Sequence, residues 1–197
     1  MALTADTTTG ARRRLDREQV LEAAEALVDT NGWDRLTMAA LAGRLGVKVP
    51  SLYNHVTGLD DVRSEMQVRT MRQLAEALAT AAMGRTGEAG LIALARVHRR
   101  FVSEYPHRYQ GVTRESLNRV AFAEAAGRAN EALLAVVGSY GLSPDDALRA
   151  ELAVFSALHG FTTLEANGFF GDVIDTDALF EAVVAGAVSI LGQTSAA

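Results

Sequence analysis

The chain of 197 residues has no cysteine, which excludes disulfides, thiolate metal sites and cysteine nucleophiles together and is compatible with a reducing compartment. Prolines number three, and aromatic residues make up 6% against 49% hydrophobic residues overall. A core must therefore be built mainly from Ala, Leu and Val, the composition of a helix-rich globular protein rather than of a disordered one. No stretch reaches the roughly 18 uncharged apolar residues of a membrane-spanning helix. The longest apolar tract, 182–197, is interrupted by Gly, Gln and Ser. Arg12–Arg14 are followed by no apolar stretch or cleavage pattern, so neither a secretory signal nor a membrane partner is expected, and the protein is expected in the cytoplasm.

Catalytic and cofactor signatures are also missing. G-R-T-G-E-A-G at 84–90 fits neither a phosphate-binding loop nor a dinucleotide fingerprint, and there is no G-x-S-x-G elbow. His98, His107 and His159 show no i, i+4 pairing of the kind a zinc helix needs. No enzyme activity, no cofactor and no metal site are expected.

A net charge of −5 argues against nucleic acid as a partner until its distribution is considered. Residues 1–57 hold seven basic and seven acidic side chains, whereas 58–197 hold twelve and seventeen. The C-terminal part would repel a polyanion, which leaves the N-terminal part as the surface for one. Between Arg35 and Leu59 lie Arg35, Arg44 and Lys48 and no acid.

That stretch has a readable local structure. Thr37 is an N-cap flanked by the staple pair Leu36 and Leu41, so a helix should start at Met38. Gly46 supplies the positive φ of a helix stop, and Pro50 suits the first turn of a second helix. Ala42, Gly46 and Leu52 fall where two crossing helices need close approach, a turn and a shared core, the pattern of a helix-turn-helix. The alternative is an ordinary helical hairpin inside a core. Against it, Lys48, Ser51, Tyr53 and Asn54 crowd a helix too short to need them for folding, and they are side chains that bond phosphates and base edges.

G-V-K-V-P-S-L-Y-N-H-V, 46–56, resembles the tetracycline-repressor (TetR) family of transcriptional regulators, whose usual pattern there is G-V-x-x-x-[ST]-L-Y-x-H-[FV]. The likeness extends less specifically over 15–66. It implies double-stranded DNA, a palindromic operator, as partner. Lys48, Val49, Pro50, Ser51, Asn54 and His55 match base-edge or nearby positions, and Tyr53 and Thr37 match phosphate contacts. Thr57 departs from the family, which usually has lysine there; a hydroxyl makes a weaker and less salt-dependent phosphate contact.

The rest of the chain reads as helices. Residues 1–14 form an expected disordered arm whose Arg12, Arg13 and Arg14 are placed to follow phosphates or a minor groove, the alternative being a solvated charge run. Asp16 and Gln19 form a capping box for the first helix, which Asn31-Gly32 stops, and Trp33 is expected to seal the core of the three-helix unit 15–58. A connector helix, 59–83, begins with Asp60 and Asp61 at its positive end. Further helices are expected over 91–105, 117–140, from a cap at Ser143 to 165 or 167, and over 177–191, with Pro106 as a stop before an irregular piece. No strand alternation appears, so the expected fold class is all-α: an N-terminal three-helix helix-turn-helix DNA-binding domain plus a larger C-terminal helical bundle, 84–197, for ligand binding and dimerisation.

Phe155–Glu165 with Phe101–Tyr109 resembles the His-Gly-motif type of TetR-like C-terminal domain, which implies a small-molecule effector. His98, Phe101, Tyr105, Tyr109, Phe155 and His159 are the candidate ligand residues, the alternative being that these rings fill a core; His107 is expected to be half exposed. Ala153, Ala157, Gly160 and Leu164 form a stripe of mostly small residues on one helix, and Leu179, Ala182, Val183, Gly186 and Ile190 form an apolar face on the last. Phe180, Val184, Val188 and Leu191 make its second apolar face, so this helix should lie between its own core and a partner, giving a homodimer; a wholly intrachain bundle is the alternative.

Overall fold

The structure, a computed structural model, describes residues 15–194, without the side chains of Gln193 and Thr194, and all its regular elements there are helices. The Arg12–Arg14 arm lies outside the described residues. In order come α1 Arg17–Asn31, a 3-10 turn Trp33–Arg35, α2 Met38–Leu45, α3 Val49–Leu52, α4 Leu59–Ala82, α5 Gly87–Glu104, α6 Pro106–Val112, α7 Arg119–Gly138, α8 Pro144–Ala166 and α9 Thr176–Thr194.

Local chemistry sets the N-terminal boundaries. Asp16 accepts from the Gln19 backbone N–H at 2.8 Å while Gln19 Oε1 accepts from the Asp16 N–H at 3.0 Å, so two otherwise unpaired donors are satisfied reciprocally. Thr37 caps α2 by accepting from the Ala40 N–H at 3.1 Å. Gly46 closes α2 at φ 65°, ψ 31°, a conformation L side chains adopt only at a cost, and Ser143 caps α8 through the Asp146 N–H.

Pro106 behaves differently from the sequence expectation. It does not introduce an irregular piece but occupies the first turn of α6, where a missing N–H breaks no hydrogen bond. A proline after a helix marks an end and can mark a new beginning, and here the Tyr105 backbone turns the chain between the two.

Two large apolar cores result among the described residues, besides a small cluster of Leu74, Phe101, Val102 and Tyr109. Val20, Ala24, Val28, Leu36, Leu41 and Leu52, with Trp33 at their edge, are sealed by Val62 and Met66 from the first half of α4. Leu91, Val136, Val154, Phe180 and Leu191 centre the second, against which Ala81 and Leu78 from the other end of α4 pack. At about 1.5 Å per residue, the 24 residues of α4 span about 36 Å, enough to serve both.

The short helix α6 is wedged between the cores. Gly111 lies against the Trp33 ring so closely that a Cβ there would sit 2.3 Å from a ring carbon. Gln67 of α4 is buried and donates to the carbonyls of Gly111 at 2.9 Å and Glu115 at 3.2 Å, holding the C-terminal end of α6. Arg108 bonds Asp29 of α1 through two contacts of 2.7 Å, and Arg114 pairs with Asp34.

Candidate DNA interface and ligand cavity

α3 is anchored from beneath by Leu52 and Val56, both almost wholly buried, which turns Lys48, Pro50, Tyr53 and Asn54 outward. Tyr53 is 55% exposed, and Ser51, Val49 and His55 are half-buried beside it. Thr37, at the start of α2, is exposed, as is Thr57. Arg35, Arg44 and Lys48 are exposed and form no ion pair among the described residues. Two acids of the neighbouring helices are engaged instead: Arg69 takes Glu18 through two contacts of 2.6 Å, and Arg17 takes Asp61 at 2.7 and 2.9 Å.

Asp61 also organises the turn after α3. It accepts from the Thr57 backbone N–H at 2.8 Å, while Arg17 donates to the His55 carbonyl at 3.1 Å. The Arg17 guanidinium is the main reason the Asp61 carboxyl titrates low, at about 2. Sequence reading placed Asp61 only as a helix-start acid, because its partner lies 44 residues away.

The second site is a cavity of about 410 Å³ enclosed by α4, α5, α6, α7 and α8. His98, Tyr109, Phe155 and His159 line it, together with Met71, Leu74, Phe122, Asn130, Leu133 and Glu151. Phe101 and Tyr105, grouped with them on sequence, do not. The Phe101 ring is buried against Leu74, Val102 and Tyr109, and the Tyr105 ring lies outside under the Arg108 guanidinium, 4.3 Å away. Both face a separate open groove between α4 and α5. His107 is exposed at the far side of α6, near Gly32.

One polar chain crosses the cavity wall. The Tyr109 hydroxyl lies 2.9 Å from His98 Nε2 and 2.8 Å from His159 Nδ1. A phenol has one proton, so it donates to one imidazole and accepts an N–H from the other. Burial, followed by the proximity of His159, lowers His98 to about 4; burial also lowers His159 and raises Tyr109, so all three are neutral near pH 7. His98 Nδ1 has no hydrogen-bond partner among the described residues. Phe155 stacks on the His159 ring with centroids 5.5 Å apart and is 47% exposed, at the cavity rim. Glu151 was not singled out on sequence; it is 3% exposed, its Oε2 is unpaired, and burial raises its pKa. Its spacing of four residues to Phe155 and eight to His159 on α8 was the available signal.

A third surface runs along α8 and α9. Phe180, Val184, Ala187 and Leu191 point into the core, while Ala182, Gly186 and Ile190 are exposed and Leu179, Val183 and Val188 half-buried. On α8, Ala157 and Leu164 are exposed, and Ala153 and Gly160 half-buried. A Cβ at Gly160 or Gly186 would meet nothing within 4 Å of its own chain.

A helix-turn-helix with free cations, joined through a buried wedge to a bundle holding a lined cavity, defines a DNA-binding regulator of the ligand-responsive class. Residues 20–58 match the family described as bacterial regulatory proteins, tetR family, and 91–187 match the tetracyclin repressor-like C-terminal domain. The chain is 39% identical over 173 residues to the HTH-type transcriptional regulator Rv0681 of Mycobacterium tuberculosis, covering 87% of this chain and 79% of the relative. To the HTH-type transcriptional regulator YobS of Bacillus subtilis it is 29% identical, with 79% and 82% covered. Among solved structures, a TetR variant from Acinetobacter baumannii AYE in complex with minocycline shares the fold, with TM-score 0.65, 22% identity and 91% and 96% of the two chains covered. The chain belongs to the TetR family of transcriptional regulators. These relatives point to a regulator rather than an enzyme. Among the described residues no helix is long and apolar enough to cross a membrane.

Proposed function

We propose that the protein is a cytoplasmic, homodimeric repressor that grips a palindromic operator with α3 of each subunit and releases it when a small molecule occupies the cavity. In this reading 15–58 read DNA, 59–83 connect, and 84–197 bind the effector and dimerise. Lys48, Val49, Pro50, Ser51, Asn54 and His55 face base edges; Thr37, Tyr53 and Thr57 face phosphates, with Arg12, Arg13 and Arg14 following the backbone beside them. The effector residues are His98, Tyr109, Phe155 and His159, without Phe101 and Tyr105. Ala153, Ala157, Gly160 and Leu164 with Leu179, Ala182, Val183, Gly186 and Ile190 make the subunit contact.

The observation that carries the coupling is the position of α6. Tyr109 is in the cavity wall, and Arg108 and Gly111 on the same two turns are fixed to Asp29 and Trp33 of the DNA-reading unit. A ligand that displaces Tyr109 must therefore move α6 or strain it. It lowers DNA affinity only as far as it prefers the arrangement that does not fit the operator. The minocycline-bound relative supports a small-molecule site within this fold. Gel shifts with fragments from the protein's own upstream region test the reading. Retarded complexes released by a cavity ligand are expected, and a chain that shifts no such fragment sinks it.

A further inference from the structure

We propose that the cavity takes an apolar organic cation, with Glu151 as its counter-charge. This rests on the reading of the cavity as the effector site and adds the sign of charge its occupant carries.

Glu151 is the one acidic residue among those lining the cavity, and no Lys or Arg is among them. Its side chain is 3% exposed, and it makes no hydrogen bond or ion pair among the described residues, with Oε2 shut off from solvent and unpaired. A carboxylate removed from water with nothing opposite it is costly, and the cost is recovered when a positive group is brought beside it. The two histidines do not supply that group. His98 lies at about 4 through burial, and His159 is already lowered, so both are neutral near pH 7. The Tyr109 hydroxyl is committed to them.

The rest of the wall fits the same class of guest. Phe122, Phe155 and Tyr109 present rings, and the face of an aromatic ring attracts a cation as well as an apolar body. Leu94, Leu133 and Leu158 complete an apolar lining that favours a bulky hydrocarbon frame over a highly hydrated ammonium. An anionic guest would meet Glu151 with no positive side chain to offset it. Asn130 remains as a neutral hydrogen-bonding position for a polar group on the guest.

The test compares two ions of closely matched shape and opposite charge, tetraphenylphosphonium and tetraphenylborate, binding to the full chain by calorimetry. A cavity-filled variant, Ala129→Phe, separates cavity binding from adsorption on the apolar surface of α8 and α9. The cation is expected to bind once per chain, at least tenfold more tightly than the anion, and to be lost in Ala129→Phe. Glu151→Gln, which keeps shape and removes charge, should abolish the tenfold preference while its melting temperature stays at or above that of the parent. Equal or tighter cavity binding of the anion overturns the charge assignment and leaves the effector reading intact. So does a cation preference that survives Glu151→Gln, including the case in which that variant instead shifts sedimentation towards monomer. Binding of neither ion to the parent, or binding unchanged by Ala129→Phe, overturns this inference together with the cavity reading.

Discussion

Two helical surfaces of this protein face outward with opposite chemistry. On α3 and the turn after it the exposed side chains are Lys48, Pro50, Tyr53 and Asn54; on α8 and α9 they include Leu152, Phe155, Ala157, Leu164, Ala182 and Ile190. The first is short, polar and free of acids, and it sits in a chain of net charge −5. The second is long and apolar, with glycines that no neighbour in the chain requires. Overall charge therefore says little about a partner, whereas local exposure does. A solvated polar surface can wait for DNA, but an extended apolar one gains from being covered, as an isologous contact between two copies would cover it.

The sharpest way to break that contrast is Gly186→Glu. Because a side chain at Gly186 meets nothing in its own subunit, the variant should still fold, with a melting temperature lowered by what the subunit contact contributes, and should sediment as a monomer and shift no palindromic fragment. A dimer that persists with this glutamate would remove α9 from the subunit contact.

Next in size is a pair of truncations that separates a packed ring from a rim ring. Tyr109 is buried and bonded to two histidines, so Tyr109→Ala should cost about 3–5 kcal/mol in chemical denaturation. Phe155→Ala should cost less than half as much, because the ring is already 47% exposed. Equal losses would mean that the cavity closes around Phe155 and that its rim assignment is wrong.

Acid titration sharpens the cavity further. His98 is lowered from its ordinary 6.5 to about 4, so the unfolded chain takes up its proton first as pH falls. Stability is unaffected above about pH 6.5 and is lost between there and about pH 4, by an amount on the order of 3 kcal/mol from this group. His98→Gln should flatten that limb of the stability profile. A limb left unchanged would assign the acid sensitivity elsewhere.

Much of the N-terminal unit was legible because its instructions are local. Asp16 with Gln19, Thr37, and Gly46 with Pro50 each act within a few residues, and each does in the structure what its spacing implies. Trp33 is buried, as the nearby apolar Leu36 indicated, but Gly111, which lies against its ring, is 78 positions away and carries no local mark. The cavity was half legible. Counting aromatics picked out His98, Tyr109, Phe155 and His159, yet it also drew in Phe101, three residues from His98, whose ring packs on the other side of Leu74. It passed over Phe122, Asn130 and Glu151, whose role depends on which faces of α7 and α8 meet, a matter of tertiary packing. Pro106 misled because the same residue that ends one helix opens the next.

The central claim, that two copies of α3 hold one operator through the acid-free surface, is tested most directly by the salt dependence of binding. The operator isotherm is measured by fluorescence anisotropy over a series of salt concentrations for the parent, Lys48→Ala and Tyr53→Phe. Two chains should bind per site. Each substitution should weaken binding by about 1–3 kcal/mol without changing the melting temperature, and Lys48→Ala should also make the slope of log affinity against log salt shallower, by about one for each phosphate the lysine no longer neutralises. One chain per site, or an affinity and slope that Lys48→Ala leaves at the parent's values, would contradict the account.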